Sequence, residues 1–451
     1  MSIVFDENLD LFCLETANTS YIIGLADHRT FVGHVYYGKR VRGQDLRYLL
    51  RTGEAPFVPS ENERERCSFY DTFPSEYSGN GVGDYRESSI AVRTQAGQHA
   101  VMPTYVSYEI TDQKPELPGL PSAFDREHTA QTLILHCRDE VLQLDVDLYY
   151  NRMFGIIPGM GFEENDMITR SVRISNQSKE AVYLTKAYSA CMDMDDDAYE
   201  MLTLHGSWAR ERQMDRRPLG YGKTSVGSIR GESSHQEHPF MAWMKSSTTQ
   251  TAGEVYAMHF IYSGNFIAQL EKSQFDSIRA VMGIHPADFS WKLESEESFY
   301  TPEAALTFSA EGLGKMTRNF HDFYRNHLIR SKYRNQKRPI LINNWEATYF
   351  DFNTEKLLDI AKLASQYGIE MLVMDDGWFG HRNDDSTSLG DWFVNEKKLP
   401  GGLNYLVDEV NKLGMKFGIW MEPEMISPDS ELYKEHPDWA IAVKGRTGTL
   451  S

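Results

Sequence analysis

The period of the hydrophobic pattern changes once along this chain, near Gly314, and no other feature constrains the fold as strongly. Ahead of that point, from about Ser20 to Thr307, apolar and polar residues alternate with turn residues between them. Val141-Leu142-Gln143-Leu144-Asp145-Val146-Asp147-Leu148 is an example, and it reads as a half-buried strand. Residues 21–24, 30–37, 104–110, 131–136, 169–174 and 181–187 read the same way. Many short strands over this length predict a large antiparallel sandwich. Residues 51–86, with Pro56, Pro59, Pro74 and repeated glycines, interrupt the pattern as a long ordered loop, a kind that is usually functional or linker-like.

Past Gly314 the spacing becomes helical. Phe320, Phe323, Tyr324 and Leu328 recur at three to four residues, so 315–330 is predicted to be an amphipathic helix joining two domains. Residues 339–342 read as a buried strand, and 354–366 as a helix with Leu357, Ile360, Ala361 and Ala364 inward. Residues 370–374 form a second strand, 403–413 a helix with Leu403, Leu406, Val407, Val410 and Leu413 on one face, and 416–421 a third strand. Continuous apolar strands alternating with helices are the signature of a parallel sheet. The expected fold is multidomain, β followed by α/β: a β domain over 1–314, a linker helix over 315–337 and an α/β domain over 338–451. That last stretch is less than half of the roughly 250 residues a closed eight-stranded barrel takes, so the domain is expected to be incomplete.

Composition narrows the function. At 451 residues the chain exceeds the roughly 250–300 at which a single core stops growing. The 46 Lys+Arg against 65 Asp+Glu leave a net charge of −19, which repels phosphate backbones and anionic membrane surfaces, so neither nucleic acid nor membrane is an expected partner. Cys13, Cys67, Cys137 and Cys191 stand far apart without a C-x-x-C pair, which argues against a zinc knuckle or disulfide scaffold. The first residues carry Asp6, Glu7, Asp10 and Glu15 and lack the layout of a signal peptide. A cytoplasmic enzyme is the expectation.

The strongest chemical signal is Asp375-Asp376-Gly377-Trp378, two carboxylates and an indole at the C-terminal end of a buried parallel strand, where α/β enzymes place their sites. The same position on the other two strands carries Asn343-Asn344-Trp345-Glu346 and Trp420-Met421-Glu422-Pro423-Glu424. Core packing would bury those polar groups without partners, whereas a pyranose offers a C–H face for the indoles and hydroxyls for the acids. A plainer reading has Asp375 or Asp376 capping the following turn or pairing with Arg382. Paired carboxylates are also the machinery of glycoside hydrolysis, but neighbours on one strand point in different directions, so spacing does not make Asp375 and Asp376 that pair.

Other motifs fail. Asp193-Met194-Asp195-Asp196-Asp197-Ala198 starts like a calcium loop but has Ala198 where glycine is needed, and it reads as a solvated acidic turn. Gly312-Leu313-Gly314-Lys315 lacks the Ser or Thr of a phosphate loop. Gly79-Asn80-Gly81-Val82-Gly83 does not open a helix after a strand. The 14 histidines include no H-E-x-x-H pair, and no metal or cofactor is expected.

Trp345, Asp375-Asp376-Gly377-Trp378-Phe379-Gly380, Gly390-Asp391-Trp392 and Gly418-Ile419-Trp420-Met421-Glu422-Pro423-Glu424-Met425 together resemble the retaining α-galactosidases of glycoside hydrolase family thirty-six. Pro437-Asp438-Trp439 and, upstream, residues 71–86 and 204–211 extend the resemblance over most of the chain. It implies an N-terminal antiparallel β-supersandwich followed by the first part of a (β/α)8 barrel. It also implies that Asp375 and Asp376 bond the 4- and 6-hydroxyls of galactose, that Trp345 and Trp420 wall the pocket, and that Trp208 borders it. The family's nucleophile and acid/base would fall after Ser451, so the chain alone is expected to be inactive. The implied activity of the complete enzyme is release of terminal α-linked galactose from melibiose or raffinose-type oligosaccharides by double displacement with retention. A related galactosyl transferase, an α-N-acetylgalactosaminidase and a non-catalytic sugar-binding remnant are the alternatives. The resemblance further implies a homotetramer, with the 51–86 loop reaching a neighbouring subunit.

Overall fold

A computed structural model describes residues 2–42, 45–50, 70–126, 128–157 and 161–446, with only the backbone described at 154–157 and 161–165. The chain divides into two compact units, Met1–Arg330 and Ser331–Ser451.

The first unit is built from antiparallel sheets, as the period-two pattern predicts. Strands Ile3–Asp6, Leu11–Glu15, Thr19–Ala26 and Phe31–Lys39 form a four-stranded meander. A ten-stranded sheet runs in the order Arg210–Pro218, Tyr199–Ser207, Phe240–Lys245, Val255–Ile261, Glu303–Ser309, Gly161–Asn176, Leu144–Ile157, Gln131–Asp139, Thr104–Thr111, with Ser298–Tyr300 also paired to Gly161–Asn176. A six-stranded sheet carries Gly222–Ser228, Phe266–Lys272, Ser277–Ile284, Val182–Asp195 and Trp291–Leu293, and Ile90–Thr94 also pairs with Val182–Asp195. Phe12 and Tyr21 of the meander, Leu133, Val146 and Leu306 of the large sheet, and Leu184, Phe266 and Met282 of the third share one continuous core.

Strand Glu303–Ser309 is buried at every position because both of its faces are covered. Successive side chains point to opposite faces. Ala304, Leu306 and Phe308 enter the main core, while Ala305 meets Leu313, Met316, Phe320 and Phe323 on the other side. Those four residues belong to helix Gly312–Phe323, which continues as a wider turn over Tyr324–Leu328. The helix predicted as a joint between domains thus lies within the first unit, its apolar stripe laid on the large sheet.

Two buried charge clusters interrupt the apolar core. The Glu76 carboxylate accepts from Tyr21 Oη at 2.9 Å and Tyr150 Oη at 2.8 Å, meets His34 Nδ1 at 2.6 Å and lies 3.1 Å from Arg170. Burial alone would raise its pKa, but the Arg170 charge and the bonds from His34 and Tyr150 hold it below the ordinary value. Arg279 donates from Nε and Nη2 to Asp193 at 2.7 Å and from Nη2 to Asp84 at 2.7 Å, and Arg86 bonds Asp84 at 2.9 Å. Asp193 is therefore no part of a solvated turn: it is buried against Arg279, while Asp196 pairs with Lys272 and Asp197 with Lys245. The run begins on strand Val182–Asp195 and passes its end, and the cations that meet Asp193, Asp196 and Asp197 come from other strands, which a local reading of the sequence misses. The predicted 51–86 loop lies outside the described residues up to 69; from Tyr70 onward it is pinned by this cluster and by the Ser75 N–H on Asp193 at 2.9 Å.

The second unit has three parallel strands in the order Leu341–Asn343, Met371–Met374, Lys416–Ile419. Helix Thr354–Gln366, capped by the Asn353 side chain on the Lys356 N–H at 2.9 Å, connects the first strand to the second. Helix Gly402–Lys412 connects the second to the third. Leu357, Ala361, Ala364, Leu406 and Val410 pack with Leu372 and Met374 into a core of their own. Each element falls within a residue or two of its predicted span.

Candidate active site at the ends of three parallel strands

The strands end side by side, Asn343 beside Val373 and Met374 beside Ile419, so the segments that follow leave the sheet at one edge. Backbone groups there are held from both sides. The Asp375 N–H donates to Asn344 Oδ1 at 2.8 Å, and the Trp420 N–H donates to the Met374 carbonyl at 2.9 Å. Half-buried Asp375 accepts from Asn343 Nδ2 on one oxygen and from the Asp376 N–H, at 2.7 Å, on the other. A carboxylate has about four acceptor positions, so lone pairs remain on both oxygens for further donors.

Asp376 is more enclosed. Its side chain is 8% exposed and that of Arg382 4%. Arg382 Nε lies 3.0 and 3.1 Å from the two carboxylate oxygens and Nη2 2.8 Å from Oδ2, while Nη1 donates to the Thr387 carbonyl at 2.9 Å. The pairing with Arg382 weighed as the plainer reading is therefore present for Asp376. Lys398 Nζ closes the other side, donating to the carbonyls of Phe350 at 2.9 Å, Gly377 at 3.0 Å and Arg382 at 3.1 Å, so one ammonium ties three loop segments together. Burial lowers the Lys398 pKa, against the opposing charges of Asp376 and Asp351. Gly377 has φ 103°, a conformation that favours glycine, and a Cβ there would stand 2.9 Å from the Phe350 ring. On the third strand end, burial raises the Glu422 carboxyl above its ordinary value, the Glu424 charge adds to this, and Arg382 opposes it.

Two of the three strand-end indoles are partly open. Trp345 packs edge-on against Phe350 at 5.0 Å and Tyr349 at 5.3 Å, and Tyr349 holds a strained φ of 45°. Trp420 lies parallel to Phe379 at 6.4 Å. Trp378 differs: it is buried in the unit's core, and its Nε1 donates to the Trp420 carbonyl at 2.9 Å. The three-tryptophan pattern thus contains two half-exposed rings and one structural one. Trp208 belongs to the first unit, 84% exposed at the turn between Tyr199–Ser207 and Arg210–Pro218. Lys398 carried no sequence signal, because Glu396-Lys397-Lys398 looks like any solvated charged run.

A carboxylate with free lone pairs, a second one locked beside it and two indoles at one edge suit a polyhydroxylated ring. Among the described residues no group of three His, Cys, Asp or Glu is arranged to hold a metal, and no helix is long and apolar enough to cross a membrane.

Comparison with known proteins gives the same direction. Residues 30–294 match the glycosyl hydrolase family 36 N-terminal domain, and residues 298–451 match the melibiase model. The bifunctional alpha-galactosidase/sucrose kinase AgaSK of Mediterraneibacter gnavus is 44% identical over 99% of this chain and 47% of its own length. Alpha-galactosidase AgaA of Geobacillus stearothermophilus is 42% identical over 99% of this chain and 60% of its own length. The AgaA crystal structure superposes with a TM-score of 0.92, covering 98% of this chain and 60% of that one, and AgaA variants have been solved with raffinose and with stachyose. This chain therefore spans about half to three fifths of the length of these relatives. With one model matching over the sandwich, another over the parallel strands, and relatives aligned along nearly all of it, the chain belongs to glycosyl hydrolase family 36.

Proposed function

We propose that this chain forms the sandwich and the opening strands of the (β/α)8 catalytic barrel of an enzyme that removes terminal α-linked galactose from melibiose and raffinose-type oligosaccharides with retention. Asp375 and Asp376 receive the 4- and 6-hydroxyls, and Trp345 and Trp420 wall the sugar. The observation that carries this reading is the strand end itself. Asp375 is held by Asn343 and by the Asp376 N–H yet stays half open, beside an Asp376 fixed by Arg382. Family membership and the raffinose and stachyose complexes of AgaA support the substrate class.

These residues select and hold the sugar. None of them is given the role of the nucleophile or of the acid/base. A cytoplasmic setting and a homotetramer complete the proposal. The test is melibiose hydrolysis by the product of the complete gene, followed by proton NMR of the anomeric signals. The proposal expects α-galactose as the first product and a loss of at least about 100-fold in kcat/KM, about 2.7 kcal/mol, on Asp375→Asn. β-Galactose as first product, or turnover indifferent to Asp375→Asn, counts against it.

A further inference from the structure

A groove of about 660 Å³ opens on the first unit beside strand Trp291–Leu293, within the roughly 300–1,000 Å³ of small-molecule sites. It is formed entirely by residues of that unit, and the chemistry proposed above does not use it. No lysine or arginine is among its described lining residues, and Asp288 is its carboxylate. Phosphates and other anions are thereby disfavoured.

Trp291 is 50% exposed, yet its ring is held. It leans on buried Phe299, centroids 5.3 Å apart at 55°, and Phe299 is in turn 5.9 Å from Phe289. The Trp291 backbone pairs with Leu184 of the neighbouring strand. An indole kept open on a rigid support is a stacking platform. Three polar groups of fixed sense accompany it. Asn265 Oδ1 accepts from the Gly231 N–H at 2.7 Å, which leaves the amide NH2 to donate. His285 Nδ1 accepts from the Ala287 N–H at 3.0 Å, which puts the proton of the neutral ring on Nε2. The Asp288 carboxylate accepts no hydrogen bond among the described residues; burial lowers the His285 pKa and the Asp288 charge opposes this.

We propose that this groove is a surface binding site for a neutral oligosaccharide, with one pyranose lying on Trp291 and its hydroxyls bonded to Asp288, Asn265 and His285. A second copy of the chain fits less well, because a protein interface takes about 800 Å² from each partner, whereas the directed polar groups here converge on one groove of ligand size. The site does not depend on the role given to Asp375.

Titrating raffinose into the chain by isothermal calorimetry tests this in three forms: Trp345→Ala, Trp345→Ala/Trp291→Ala and Trp345→Ala/Trp291→Tyr, each checked for folding by circular dichroism. Trp345→Ala should still bind raffinose at one site. Adding Trp291→Ala should raise Kd by at least about tenfold, and Trp291→Tyr by no more than about threefold. Asp288→Ala, an exposed change, is the second variant and should weaken binding about fivefold whether or not Trp291→Ala folds. A Trp345→Ala chain that binds no raffinose, or one whose affinity is untouched by both Trp291→Ala and Asp288→Ala, overturns the proposal. So does self-association in sedimentation that depends on Trp291 while raffinose does not bind.

Discussion

Replacing Asp376 by Ala takes away the carboxylate that engages Nε and Nη2 of Arg382 and leaves that guanidinium buried at 4% exposure. Removing one partner of a buried ion pair costs about 3–5 kcal/mol, since the remaining charge is neither hydrated nor paired. Asp375→Asn is milder. Asp375 is half-buried, and the change costs one hydrogen bond to Asn343, about 1 kcal/mol. With a urea slope of about 2 kcal/mol per M, the Asp376→Ala midpoint should fall by about 1.5–2.5 M and the Asp375→Asn midpoint by about 0.5 M. Tryptophan fluorescence reports the transition, because Trp345, Trp378, Trp392, Trp420 and Trp439 all lie in the second unit. The double variant Asp376→Leu/Arg382→Met should recover most of the loss, since it removes both charges together. An Asp376→Ala shift under about 0.5 M, or a double variant less stable than the single one, would show that this ion pair is not held out of water. If the shift is as large as expected, lost activity in Asp376→Ala reports a collapsed strand end as much as a lost sugar contact, and Asp375→Asn is the cleaner probe.

Two further outcomes follow from the same physics. Burial, with the neighbouring His238 and Arg212, pushes His259 down to about 3, against about 6.5 unfolded. Between those values the unfolded chain binds the extra proton, so stability falls as pH drops, approaching about 1.4 kcal/mol per pH unit, and it is flat above that window. His238 beside it is lowered to about 4 and adds a slope of the same sign, so His259→Leu should reduce, not abolish, the fall in urea midpoints taken at about pH 7, 5.5 and 4.5; an unchanged slope contradicts the assignment. Lys398→Met strips the carbonyls of Phe350, Gly377 and Arg382 of their shared donor and should cost about 2–3 kcal/mol by the same urea assay. A cost under about 0.5 kcal/mol would show that water replaces the ammonium freely.

The period of the hydrophobic pattern carried most of the architecture. Strand-by-strand alternation marked the sandwich, and the runs at 370–374 and 416–421 marked parallel strands, because burial on one face or two is written directly into residue order. The strand ends were legible for the same reason: polar residues following a buried strand stand out. What the sequence hid were partners distant along the chain. Asp193 looked solvated until Arg279 arrived from another strand, and Lys398 looked solvated until three carbonyls converged on it. Trp378 shared its motif with Trp345 and Trp420 but stands further past its strand end, where the loop turns it into the core and its Nε1 bonds the Trp420 carbonyl.

In the proposed pocket Asp375 and Asp376 read an axial 4-hydroxyl. Competition by galactose and by glucose against hydrolysis of a chromogenic α-galactoside, measured on the product of the complete gene and on its Asp375→Asn variant, tests it most directly. Galactose should inhibit at least about tenfold better than glucose, about 1.4 kcal/mol, and Asp375→Asn should erase the difference. Equal inhibition by the two epimers, or a preference that survives Asp375→Asn, would contradict it.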